Sequence, residues 1–162
     1  MSDHVIANSS PLILLSKISR LDFLKLSGNS IAIPQAVWDE VTNYPDQKAV
    51  PILKEFPWIQ IELEPEIPPE VLSWNLGKGE SAVIALGIMK GSSELVIDDS
   101  DARSCARSLG LQVRGTLGLV LLAKKRGHIS SVRSTIDELI LAGMYLDKGV
   151  VDQILRLAGE MG

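Results

Sequence analysis

Leu95-Val96-Ile97-Asp98-Asp99 is the stretch that most narrows what this chain can fold into. Three aliphatic residues run straight into two carboxylates, and Ser100-Asp101-Ala102-Arg103 follows. A short aliphatic run reads as a buried strand, and Ser/Asp before Ala-Arg reads as a helix start. The carboxylates therefore stand where a strand ends and a helix begins. In an open α/β sheet that carboxyl edge is where ligands bind.

The rest of the chain repeats the same alternation. Val5-Ile6-Ala7 reads as a first strand ending at Asn8, and Ser9-Ser10-Pro11 as a helix entry with Pro in the first turn. Leu21 to Leu26 forms a further helical piece closed by Gly28-Asn29. Ile31-Ala32-Ile33 is a strand, and Pro34 begins a helix carrying Val37, Trp38, Glu40 and Val41. Helical spacing extends over 46–56, with Val50, Leu53 and Phe56 on one face. Trp58 to Leu63 alternates as a half-exposed edge strand does. After the proline-marked 65–69 connector, Gly77-Lys78-Gly79-Glu80 opens a helix over 81–89. The strand 95–97, helix 100–109, strand 111–113 and helix 117–126 follow, and Gly127 closes the last. From Ile129 two helices are expected, over 130–142 and 148–157.

These elements predict a three-layer α/β/α sandwich with a mostly parallel central sheet over residues 1–127. Residues 128–162 form a helical pair, packed on the same domain or at a dimer interface. With 162 residues, 46% of them apolar, the chain can bury a core without covalent staples. Its one cysteine, Cys105, excludes an internal disulfide and reads as a small core residue. No apolar run reaches membrane-spanning length and no basic signal flank is present, so the expected setting is cytoplasmic. The formal net charge is −4. Setting aside Glu40, Glu80, Asp98, Asp99 and Asp101 makes the balance slightly positive, so the acidic total does not exclude a nucleic-acid partner.

Right-handed crossovers put all strand C-termini along one edge. Asn8, Asp98, Asp99 and the Arg114-Gly115-Thr116 turn meet there, with Glu40 and Glu80 near helix starts. Clustered carboxylates repel one another and persist when they hold a hard cation. An all-oxygen set suits Mg²⁺ or Mn²⁺, and such an ion among carboxylates is apparatus for phosphoryl chemistry. Ser9, Lys78, Arg114 and Thr116 stand around the same edge as substrate-binding candidates. Each group also has a plainer role. Asp99 or Ser100 can cap the helix, Asp101 and Glu80 can complement a helix dipole, Lys78 can be solvated, and Thr116 can be a cap.

Taken in order, these pieces resemble the PIN domain family of metal-dependent ribonucleases, and within it a branch related to toxin–antitoxin ribonucleases. The segments that carry the likeness are 5–13, 33–41, 77–86, 96–103, 115–118 and 123–127. The resemblance implies an endoribonuclease using Mg²⁺ or Mn²⁺, RNA as substrate, a toxin–antitoxin setting with an antitoxin protein as partner, and a homodimer. It places the family's acids at Glu40, at Glu80 and at Asp99 or its neighbour Asp98. The first position falls on Asn8, which can ligate through its amide oxygen but brings no charge. That departure favours a second reading, a catalytically weakened PIN-like module binding nucleic acid or protein.

Overall fold

The computed structural model describes residues 2–43, 51, 54 and 56–161. The helix expected over 46–56 lies largely outside them. β1 (Ser2–Ala7), β2 (Gly28–Pro34), β3 (Ile59–Glu62), β4 (Ser93–Val96) and β5 (Gln112–Arg114) form one sheet. Its order is β3-β2-β1-β4-β5, and every pairing is parallel. Val5, Ile6, Ala7, Leu95 and Val96 are fully buried. This near-continuous apolar burial is what a parallel sheet with helices on both faces requires.

The helices are α1 (Ser9–Lys17), α2 (Gln35–Thr42), α3 (Pro69–Leu72), α4 (Lys78–Lys90), α5 (Ser100–Ser108), α6 (Thr116–Lys125), α7 (Val132–Leu141) and α8 (Lys148–Leu157). A 3₁₀ helix spans Leu21–Leu26. It packs on β2 and against α1 and α6, whereas α4 packs on β1, β2 and β4 and against α5. Right-handed crossovers put these two groups on opposite faces of the sheet.

Several element boundaries differ from those expected, and two of them carry a physical reason. Gly28-Asn29 does not close a helix; it opens β2, pairing Gly28 with Ser2. A Cβ at Gly28 would lie 2.6 Å from the Ser2 carbonyl oxygen, so close strand approach explains this glycine. β4 starts at Ser93 and draws Glu94 into the buried sheet. β3 pairs with β2 alone and leaves Ile61 exposed, as an edge strand would.

Val132, Ile136, Leu139 and Leu155 of the C-terminal helices belong to the same core cluster as the sheet, while Ile140 and Val150 are exposed. No helix among the described residues is long and apolar enough to cross a membrane.

Candidate active site

The strand order reverses direction at β1. The chain builds outward through β2 and β3, then crosses back to β4 and β5. Parallel sheets open a crevice at such a switch point, outside the strand carboxyl ends. Asn8 follows β1 and Asp98 follows β4, so they flank it. Their strands are tied there by the Asn8 N–H, which donates to the Val96 carbonyl at 3.0 Å.

Asp98 is held by two neighbouring elements. Its Oδ1 accepts the Thr116 N–H at 2.7 Å, and its Oδ2 accepts the Thr116 hydroxyl at 2.8 Å and the Ser10 hydroxyl at 3.4 Å. Glu40, on α2, is held by two others. Its Oε2 accepts the Ser9 hydroxyl at 2.5 Å and its Oε1 accepts the Gly79 N–H at 2.9 Å. Gly79 and Thr116 lie in the first turns of α4 and α6. Those turns carry spare N–H donors and partial positive charge. Both carboxylates are thus fixed by helix starts and by consecutive serines of α1. Neither has an ion-pair partner within 4 Å among the described residues. Burial holds the Arg103 guanidinium below its usual pKa, the neighbouring Arg107 adds to the lowering, and Asp98 partly opposes them.

Gly79 is required here for space. A Cβ on it would stand 2.6 Å from Glu40 Oε2 and 2.7 Å from Oε1. Ser9, Ser10, Glu40 and Asp98 line one cavity of about 400 Å³, closed on another side by Ala142, Gly143 and Met144 after α7. The C-terminal helical pair therefore contributes a wall of the site. Asn8 is 4% exposed, and its Oδ1 has no hydrogen-bond partner among the described residues.

The other expected site residues are placed elsewhere. Asp99 is the N-cap of α5, accepting the Ala102 N–H at 2.9 Å, and is not part of the cavity lining. Asp101 is exposed in the first turn of that helix. Glu80 is half-buried with its carboxylate folded against Gly77, at the start of its own helix. Lys78 is exposed. Thr116 is fully buried with both its N–H and its hydroxyl committed to Asp98, so it holds that acid in place. Arg114 does not reach this edge either. Its Nε donates to Glu94 at 2.7 Å in a different cavity, because buried Glu94 needs a cation. Cys105 is buried, which pushes its thiol pKa up and fits a core residue.

Among the described residues no three His, Cys, Asp or Glu side chains gather as a metal site. Of the acids expected there, Glu40 and Asp98 line the cavity, and Asn8 follows β1 just outside its lining. This oxygen-only set still suits Mg²⁺ in kind, since that ion keeps several waters and commonly takes one or two carboxylates. Sequence reasoning missed Ser10, Gly79 and the Met144 wall. Ser10 read as part of a helix entry, and Gly79 as part of the opening of another helix.

Fold and site together define a parallel α/β protein with two fixed carboxylates at its switch point. The PIN domain family model DUF3368 matches residues 4–160, and the chain belongs to that family, which is of nuclease type. Among solved structures it is similar to a PilT N-terminus domain protein from the hyperthermophilic archaeon Sulfolobus solfataricus P2. That likeness has 15% sequence identity and a TM-score of 0.49, covering 72% of this chain and 89% of the other. No match was found among curated proteins.

Proposed function

We propose that this protein is a PIN-type endoribonuclease that uses one hard divalent cation, Mg²⁺ or Mn²⁺, held by Glu40 and Asp98. The observation that carries the reading is that both acids line one cavity, held by hydrogen bonds and without an ion pair among the described residues. The Asn8 side-chain Oδ1, which has no hydrogen-bond partner among the described residues, is the neutral third donor. When bound, such an ion activates water and offsets charge on phosphoryl oxygens. The chain's own residues supply geometry. Ser9 and Gly79 hold Glu40, while Thr116 and Ser10 hold Asp98. Exposed Lys78, beside Gly79 in sequence, meets a phosphate of single-stranded RNA. Family likeness extends the reading to a toxin restrained by a protein antitoxin, and to a homodimer.

The test is incubation with single-stranded RNA and Mn²⁺. Cleavage by the parent is expected, with loss of at least a hundredfold in Asp98→Asn and Glu40→Gln, on the scale of removing one charged group that stabilises the transition state. Asp99→Ala retains cleavage and loses about 1 kcal/mol of stability, the usual worth of an N-cap. Absence of Mn²⁺-dependent cleavage by the folded parent sinks the reading. Asn8 favours the second reading, a PIN-like binding module with weakened chemistry. That reading predicts RNA binding without cleavage in the parent, and cleavage appearing in Asn8→Asp.

A further inference from the structure

The opposite edge of the sheet holds a second cavity, of about 480 Å³. Ser2, Ser93 and Gln112, the first residues of β1, β4 and β5, line it together with Ser27, Arg114 and Arg126. It is therefore separated from Asn8 and Asp98, which follow the carboxyl ends of β1 and β4. Its size is that of sites for nucleotide-scale molecules.

The charges there do not cancel. Glu94, 7% exposed, accepts the Ser27 hydroxyl and the Arg114 Nε, so Arg114 neutralises it. The bond uses Nε and leaves the terminal nitrogens of the guanidinium fork for another acceptor. Arg126 is a second cation with no carboxylate within 4 Å among the described residues. Its Nη1 donates to the neutral Leu26 carbonyl at 2.7 Å. The C-terminal dipole of α6 accounts for Lys124 and Lys125 in the last turn. It does not account for a guanidinium that reaches the 3₁₀ helix and lines a polar cavity. Two arginines lining one cavity with serine hydroxyls fit the planar, bidentate recognition of phosphoryl oxygens. Among the described residues no aromatic ring lines the cavity, which gives it no stacking platform of the kind that single-stranded RNA uses.

We infer that this cavity binds the phosphate group of a small phosphorylated metabolite, through Arg114 and Arg126. The experiment is an amide NMR titration of the full chain with inorganic phosphate, against sodium chloride at equal ionic strength. Saturable movement of the Ser27, Ser93 and Gln112 amides is expected with phosphate alone. Arg126→Gln weakens the apparent affinity about tenfold, the scale of one charge-assisted hydrogen bond. Arg126→Lys, which keeps the charge, loses less and guards against a folding artefact. Asp98→Asn binds as the parent does. Four results overturn the proposal: no saturable movement, equal movement in chloride, an affinity unchanged in Arg126→Gln, or movement centred on Ser9, Gly79 and Thr116. A short RNA that moves these amides where phosphate does not also overturns it.

Discussion

At the residue scale, the site depends on an absent atom. Alanine is favoured over glycine inside a helix by about 1 kcal/mol. On propensity alone, Gly79→Ala should therefore stabilise α4. The new methyl would stand 2.6 Å from Glu40 Oε2, so the carboxylate must leave its place. The expected outcome is no gain in the urea midpoint and at least a tenfold loss of Mn²⁺ affinity. A variant about 1 kcal/mol more stable that still binds Mn²⁺ would show that Gly79 does not fix Glu40. The individual acids were harder to read in the sequence than the strand that bears them. Asp98 and Asp99 are adjacent and chemically alike, and only the turn geometry sends one to Thr116 and the other to the α5 cap. Arg114 sat at the expected strand end, yet its long side chain was drawn to Glu94. The sequence reading began its strand at Leu95 and so missed the buried acid that attracts it.

At the scale of elements, the last residues of the chain secure the C-terminal helices. Glu160 accepts the Val132 N–H at 2.6 Å and the Arg133 N–H at 3.1 Å, both at the start of α7, and the Lys124 ammonium at 3.0 Å. The Val132 bond is the main reason its carboxyl is pulled down to about 2. The Arg133 bond and Lys124 add to it, and partial burial opposes it. Because the folded state holds the lower pKa, the unfolded state binds the proton first as pH falls. The stabilisation is complete above the ordinary value of 4.5 and is lost as pH drops through about 2. Glu160→Gln should therefore cost about 1–3 kcal/mol in urea unfolding at pH 7. The gap from the parent should shrink steadily below pH 4.5. A gap independent of pH would show that the charge on Glu160 contributes nothing. The helical pair itself was legible from apolar spacing, since Ile136, Leu139 and Leu155 are buried as that spacing requires. Its tie through Glu160 was not, because the pairing spans from α7 to the chain end and leaves no local pattern. Gly28 misled for a related reason. A glycine after a helical stretch reads as a stop, whereas here it marks close contact with β1.

At the scale of the whole molecule, the fold was legible because the central strands β1, β2 and β4 carry short aliphatic runs, each followed by a helix start. The sheet order then sets which strand ends meet: β1 and β4 are neighbours, so Asn8 lies across from Asp98. The gathering of acids was only half legible, since spacing says which edge a carboxylate reaches but not whether its helix start will consume it. What remains is a site with two charges where three would bind a cation more tightly, and Asn8→Asp tests whether the architecture still accommodates the third. Without metal, a third carboxylate in this buried position repels Glu40 and Asp98 and should cost about 1–3 kcal/mol. With Mn²⁺ in excess, each tenfold gain in affinity returns about 1.4 kcal/mol. For a domain of this size that corresponds to a relative rise in melting temperature of about 3–6 °C. The melting temperature of Asn8→Asp should therefore lie below the parent's in chelator and close on it or pass it in Mn²⁺. A gap that Mn²⁺ leaves unchanged would mean that position 8 does not face a cation and that Glu40 and Asp98 serve only to tie α1, α2, α4 and α6 together.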